Sequence, residues 1–297
     1  MTTATTARRP LATFRLTRRV ALLWLVVAVA GFFAFAYAFS HLLALFQGEA
    51  LEPIVFGPTP PPTLAEWTVV STGLVALVVV VHESIHGAFI ARYGGSPSFG
   101  VGRSSFVFPY AYAESTETSY TRTEMLVVLL APVVGITTAG VFVLALYPSP
   151  VLVVALAANT AGSIGDLWMA VALLHHPPDV RVAGLPDGTN RGFAIYRPAT
   201  ESASATSSRN ERRPGTVVLS QVAAGTVGTF ALVTTGLVVA VLWSLAVESG
   251  TVVVGDGSWL LFRHERHADG SVHLEVGATV ALALSVAGGV VWALFRP

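Results

Sequence analysis

The sequence predicts an α-helical polytopic membrane protein with about six transmembrane helices and small extramembrane β segments. Three observations carry that expectation. Hydrophobic residues make up 53% of the 297 and charged residues 11%, with mean hydropathy +0.67, whereas a soluble domain carries about 25% charge. The apolar residues fall in blocks of the length, about 20 residues, that a helix needs to cross the hydrocarbon core. Arginines sit between the blocks in an alternating pattern, as the positive-inside rule requires. The same composition excludes an ordinary soluble enzyme and a disordered chain. A net charge of zero argues against a nucleic-acid partner. With no Cys, disulfides, thiolate zinc sites and cysteine nucleophiles are ruled out.

The six blocks are Val20–Phe46, Trp67–Ile90, Met125–Tyr147, Val151–Leu174, Thr216–Val247 and Ala278–Phe295. The first is too long, and lacks a clear cleavage site, to be a removed signal peptide. Trp67, Tyr147, Trp243 and Trp292 lie near block ends, as an aromatic belt would. Arg8, Arg9, Arg15, Arg18 and Arg19 place residues 1–19, the N-terminal tail, in the cytoplasm. The 47–66 loop has no Arg and is outside; Arg92, Arg103 and Arg122 put the next loop inside. Six arginines put 176–215 inside, and Arg296 ends inside. A multi-pass cell-membrane protein with both termini cytoplasmic satisfies every loop. The expected layout is the tail, a four-helix core over 20–175, a cytoplasmic loop and flexible linker over 176–215, and two further helices over 216–297. Residues 94–120 alternate small, aromatic and polar side chains and predict a hairpin; 248–277 predicts short strands broken at Gly255-Asp256-Gly257 and Ala268-Asp269-Gly270.

A charge at bilayer depth is expensive and marks function by default. Of 17 acidic residues only Glu83 and Asp166 fall well inside a block, with His82 and His86 beside them in sequence or depth. His82-Glu83-Ser84-Ile85-His86 is an H-E-x-x-H. On a helix, residues i and i+4 stand about 40° apart on one face. Two imidazoles there can hold one Zn²⁺, and Glu83 can act as base toward the attacking water. Zinc needs a third protein ligand, for which Asp166 is the candidate. His82 and Asp166 each lie 15 residues into blocks that run from outside to inside, roughly 22 Å deep, so they are level. Two other readings are a buried polar cluster tying helices together and a metal-binding or metal-transport membrane protein without proteolysis. Asn159 is seven residues before Asp166 and shares its face. It is a candidate oxyanion or substrate contact, or else makes a helix–helix hydrogen bond. His264, His267 and His273 read as solvated loop residues, and His175 and His176 are too far along the helix to share a metal with Asp166.

The chain also resembles the putative zincin peptidases, polytopic proteins that are themselves similar to the site-2 (intramembrane) metalloproteases. The resemblance covers roughly residues 65–200. It rests on Val81-His82-Glu83-Ser84-Ile85-His86-Gly87, the aromatic segment Phe106-Val107-Phe108-Pro109-Tyr110-Ala111-Tyr112, Leu130-Ala131-Pro132 early in the third block, and Asn159-Thr160-Ala161-Gly162-Ser163-Ile164-Gly165-Asp166. It implies zinc held by His82, His86 and Asp166 and Glu83 as catalytic base, without carrying over the substrate habits of the site-2 proteases. The expected partners are a membrane-protein or peptide substrate and the lipid bilayer, with peptide bonds hydrolysed within or next to the membrane. The sequence departs from the site-2 pattern in having no Pro between Asn159 and Asp166 and Leu167 where Gly would stand.

Overall fold

The computed structural model describes residues 10–49, 54–56, 60–103, 109–114, 118–185, 192–197, 214–246 and 250–295. Helices dominate: α1 (Arg18–Gln47), α2 (Pro61–Arg92), α3 (Arg122–Leu146), α4 (Pro150–Gly162), α5 (Ile164–Leu174), α6 (Pro214–Ala246) and α7 (Ala278–Leu294). Among the described residues, five segments are long and apolar enough to cross a membrane: those in α1, α2, α3 and α6, and α4 with α5 taken together. The sixth expected span, α7, is apolar but shorter, at 17 residues.

The expected fourth span is one helix by hydropathy and two by geometry. Ser163 separates α4 from α5 and donates its hydroxyl to the Asn159 carbonyl at 2.8 Å. Such back-bonding competes with the helix ladder and bends it. Asp166 lies in the first turn of α5, and the backbone bonds from Ser163 N to the Asn159 carbonyl (3.0 Å) and from Leu167 N to the Ser163 carbonyl (2.9 Å) carry the ladder across the joint. At the start of α3, Thr121 and Glu124 form a capping box: Glu124 N donates to Thr121 Oγ1 (3.2 Å) and Thr121 N to Glu124 Oε2 (2.7 Å).

The chain divides into two compact units. The first comprises Met1–Ala28, Thr72–Leu146 and Ala158–Ser208. Its sheet has the order β1-β7-β6-β5, from Ala12–Arg15, Gly192–Tyr196, Arg181–Gly184 and Tyr120–Thr121, all antiparallel. Val182, Phe193 and Ile195 of this sheet bury against Leu173 of α5, with Phe14, Met125, Leu126 and Met169 around them. From sequence, residues 12–15 belong to the N-terminal tail and 181–184 and 192–196 to the cytoplasmic loop, whereas the structure pairs them as strands. These strands are only four or five residues long, and each gains its partners from distant segments. The expected 94–120 hairpin is present as β3 (Ser98–Arg103) and β4 (Pro109–Glu114) in register Ser98↔Glu114 to Arg103↔Pro109. Residues 104–108 of the aromatic segment, and residues 200–213 of the linker expected over 200–215, lie outside the described residues; Pro214 and Gly215 open α6.

The second unit comprises Val29–Ser71, Tyr147–Ala157 and Arg209–Pro297. Here the sheet order is β2-β10-β9-β8, from Ile54–Phe56, Val272–Val276, Phe262–Arg266 and Thr251–Val254. Phe262, Val272 and Leu274 pack with Leu237 and Val241 of α6. The helices α6 and α7 pack closely: a Cβ at Gly288 or Gly289 would stand 2.2 Å or 2.1 Å from the Oγ1 of Thr229 or Thr226, the small-residue packing that membrane helices use.

One expectation fails in this sheet. His264 is not a solvated loop residue. Strand alternation turns it inward with Phe262, leaving it 1% exposed, and its Nδ1 hydrogen-bonds Ser244 Oγ at 2.8 Å. Burial and then Arg266 hold its imidazole below the ordinary His range. Cross-strand neighbours Val252 and Leu274 bring no compensating acid, and neither α6 nor α7 carries an ionisable residue. The folded state therefore disfavours the imidazolium. Its stabilising effect is complete above the unfolded value, about 6.5, and is lost as pH falls below it. Amides of β9 and β10 are expected to lose hydrogen-exchange protection between pH 7 and 5 in wild type but not in His264→Gln. Equal loss in both would refute the assignment.

Candidate metal centre

All ligating atoms of the centre belong to the first unit. Helix α2 carries His82, Glu83 and His86, and α5 carries Asp166. His82 Nε2 stands 3.1 Å from His86 Nε2 and 3.2 Å from Asp166 Oδ2, and His86 Nε2 stands 3.4 Å from Asp166 Oδ2. Among the described residues this is the one set of three His or acidic groups gathered tightly enough to hold a metal ion. The imidazoles, 4.8 Å apart at 71°, are buried, with His82 9% and His86 7% exposed.

The second nitrogen of each ring decides what the first can do. His86 Nδ1 lies 2.8 Å from the Val128 carbonyl of α3, which can only accept, so Nδ1 carries the proton. His82 Nδ1 lies 3.1 Å from Asn159 Oδ1, while Asn159 Nδ2 donates to Thr137 Oγ1 at 3.5 Å. In the neutral form each ring therefore turns a bare Nε2 toward the other and toward the Asp166 carboxylate. The lone pairs that converge there call for a positive charge between them, a proton or a metal ion. Zinc ligands about 2.0–2.2 Å from the ion at tetrahedral angles stand about 3.3–3.6 Å apart. The observed triangle of 3.1, 3.2 and 3.4 Å is close to that spacing. The donor set, two neutral imidazoles and one carboxylate, also suits Zn²⁺, and the Nδ1 bonds are the outer partners that metal-ligating histidines generally have.

The surroundings explain the fixed geometry. A Cβ on Gly87, next to His86, would lie 2.2 Å from the ring of Phe99, so glycine lets the β3–β4 hairpin dock on α2 beside the ligands. A Cβ on Gly165, next to Asp166, would lie 2.9 Å from the Trp24 ring. Trp24 stacks on Phe14 (5.9 Å) and Phe14 on Phe193 (5.5 Å). An aromatic column thus runs from the sheet to the backbone at Asp166.

Of the residues singled out in the sequence, His82, His86, Asp166 and Asn159 come together. Glu83, half-buried on α2, follows His82 directly. Asn159 is 3% exposed and bonds the His82 nitrogen that faces away from the ligating atoms. From that position it can orient the His82 ring. Nothing in the sequence points to Val128, whose backbone is what matters, or to Thr137 and Trp24, which carry no charge. His175 caps the C-terminus of α5 and His176 follows it, its carbonyl accepting from Arg122 Nη1 at 2.6 Å.

An H-E-x-x-H on one helix whose imidazoles meet a carboxylate from another is the donor arrangement of the zincin class. The family comparison points the same way: residues 75–181 are similar to the family model described as "Putative zincin peptidase". The match holds every ligand, Glu83, Val128 and Asn159, and leaves Trp24 outside. No curated protein and no solved structure matches the chain.

Proposed function

We propose that the chain is a membrane-embedded zinc metallopeptidase that hydrolyses peptide bonds within or next to the bilayer. The observation that carries this reading is the convergence of His82, His86 and Asp166 with both Nδ1 atoms already committed. When bound, zinc supplies a Lewis acid and brings the pKa of a water down toward about 7. The protein supplies the rest. His82 and His86 each offer Nε2, and Asp166 offers one carboxylate oxygen. Asn159 and Val128 hold the rings in the required tautomer. Glu83 takes the proton of the attacking water on a carboxylate oxygen as the new C–O bond forms. It delivers that proton to the amide nitrogen as the C–N bond breaks, so the amine leaves neutral.

The membrane setting has its own support. Large apolar side chains stand open on the long helices, among them Val69 of α2 at 70% and Leu232 of α6 at 75% exposure. Lipid covers such surfaces; water does not tolerate patches of that extent. The arginine pattern orients both termini to the cytoplasm and puts the zinc ligands in the cytoplasmic third, where the path for water is short. Substrates on this reading are membrane proteins or peptides. A substrate helix must unwind at the cleavage point, because its amides are internally bonded.

The test uses purified protein in vesicles with a model transmembrane peptide. Cleavage is expected to stop with 1,10-phenanthroline and to return when Zn²⁺ is restored. Cleavage that persists after complete metal removal would refute a zinc peptidase.

A further inference from the structure

We infer that Pro132 is a positioning residue for the metal centre: because it has no N–H, it leaves the Val128 carbonyl open to His86. The inference rests on His82, His86 and Asp166 being metal ligands. In an α-helix the N–H of residue i bonds the carbonyl of residue i−4. Pro132 lies in the interior of α3, so the carbonyl that its missing N–H would have taken is that of Val128. That is the carbonyl His86 Nδ1 contacts at 2.8 Å.

Two local faults cancel at this point. A proline inside a helix removes a hydrogen bond and strains the turn before it, and the abandoned carbonyl still needs a donor. Val128 is 5% exposed and Pro132 is fully buried, so water does not readily supply one. His86, for its part, needs an acceptor on Nδ1 to keep the proton off Nε2, the atom turned toward His82 and Asp166. Each fault provides what the other lacks. With alanine at 132, the restored N–H would compete for the Val128 oxygen. His86 would lose its fixed tautomer and its rotamer support. Outer partners of metal-bound histidines typically set metal affinity by about 10- to 100-fold.

Purified full-length protein, stripped of metal, is titrated with Co²⁺ and read by its visible absorption, whose shape and intensity report tetrahedral coordination. Four proteins are compared: wild type, Pro132→Ala, Gly135→Ala as a control on the same helix, and a protein with lactic acid at position 132. The last residue is alanine's ester counterpart and, like proline, has no N–H. Pro132→Ala is expected to weaken Co²⁺ binding about 10- to 100-fold and to change the band shape. Its metal-free thermal midpoint should hold or rise, because the helix gains a hydrogen bond. Gly135, which has open space around it, should tolerate alanine without effect on binding, and lactic acid at 132 should restore it. The inference is overturned if Pro132→Ala binds as wild type, if its loss of binding tracks a lower thermal midpoint, or if the ester does not rescue. Wild type that binds no Co²⁺ would instead overturn the metal-centre reading itself, and this inference with it.

Discussion

Glu83→Gln is expected to keep one zinc per chain and to lose peptide hydrolysis by at least about 10²–10⁴-fold, the usual contribution of a general base. Glutamine matches glutamate in volume and leaves His82, His86 and Asp166 untouched, so nothing that holds the ion is removed. His82→Ala and Asp166→Ala should behave differently. Each takes one corner from the triangle of 3.1–3.4 Å contacts, and two remaining ligands do not make a structural or catalytic zinc site. Metal content by mass spectrometry on freshly purified protein, beside turnover of a model peptide, separates the cases. Zinc lost in Glu83→Gln would make Glu83 a ligand and leave the mechanism without its base. Zinc kept in Asp166→Ala would break the three-ligand centre. A transport protein using the same ligands has no need of a non-ligand base. Metal flux into vesicles that depends on His82 and Asp166, with no cleavage product, would move the protein to that class.

Much of this centre was legible because burying charge is costly. In a chain with 11% charged residues, an acid within an apolar block is conspicuous, and Glu83 and Asp166 stood out on that ground alone. The spacing of four between His82 and His86 then fixed a shared helix face. Counting 15 residues into two blocks brought His82 level with Asp166, and their side chains lie 3.2 Å apart. The long helices were legible for the same reason: length and hydropathy determine them locally.

What was not legible depends on distant pairing or on backbone atoms. The strand Ala12–Arg15 makes sense only beside Gly192–Tyr196, some 180 residues away. The joint at Ser163 is invisible to hydropathy, since serine is tolerated in apolar helices. It becomes visible in the structure through its bond to the Asn159 carbonyl. His264 was misplaced because its sequence neighbours are polar. Period-two alternation sends Arg263 and Glu265 outward, where Arg263 pairs with Glu275 at 3.3 Å, and sends His264 into the core. The acceptor for His86 could not be seen at all as a side chain.

Asn159→Leu is expected to weaken zinc binding about 10- to 100-fold, which is about 1.4–2.7 kcal/mol. Leucine fills nearly the same volume but leaves His82 Nδ1–H without an acceptor at a position that is 3% exposed. The ring is then free to turn or to move its proton to Nε2, and either change removes the lone pair that the ion requires. Asn159→Asp should act in the opposite sense. A carboxylate accepts from Nδ1–H more strongly than an amide does and raises the basicity of Nε2. Affinity in that variant should hold within a few-fold or improve. The pair of substitutions also tests whether Asn159 serves instead as a donor to the developing oxyanion. In that role both variants would lose turnover alike, since neither side chain can donate when Asp is ionised, while zinc affinity would stay at the wild-type level. Competition titrations with a chromogenic chelator measure the affinity, and peptide turnover at saturating zinc measures the rate. If the loss appears only in the rate, Asn159 belongs to the substrate; if it appears in affinity for Leu and not for Asp, Asn159 belongs to His82.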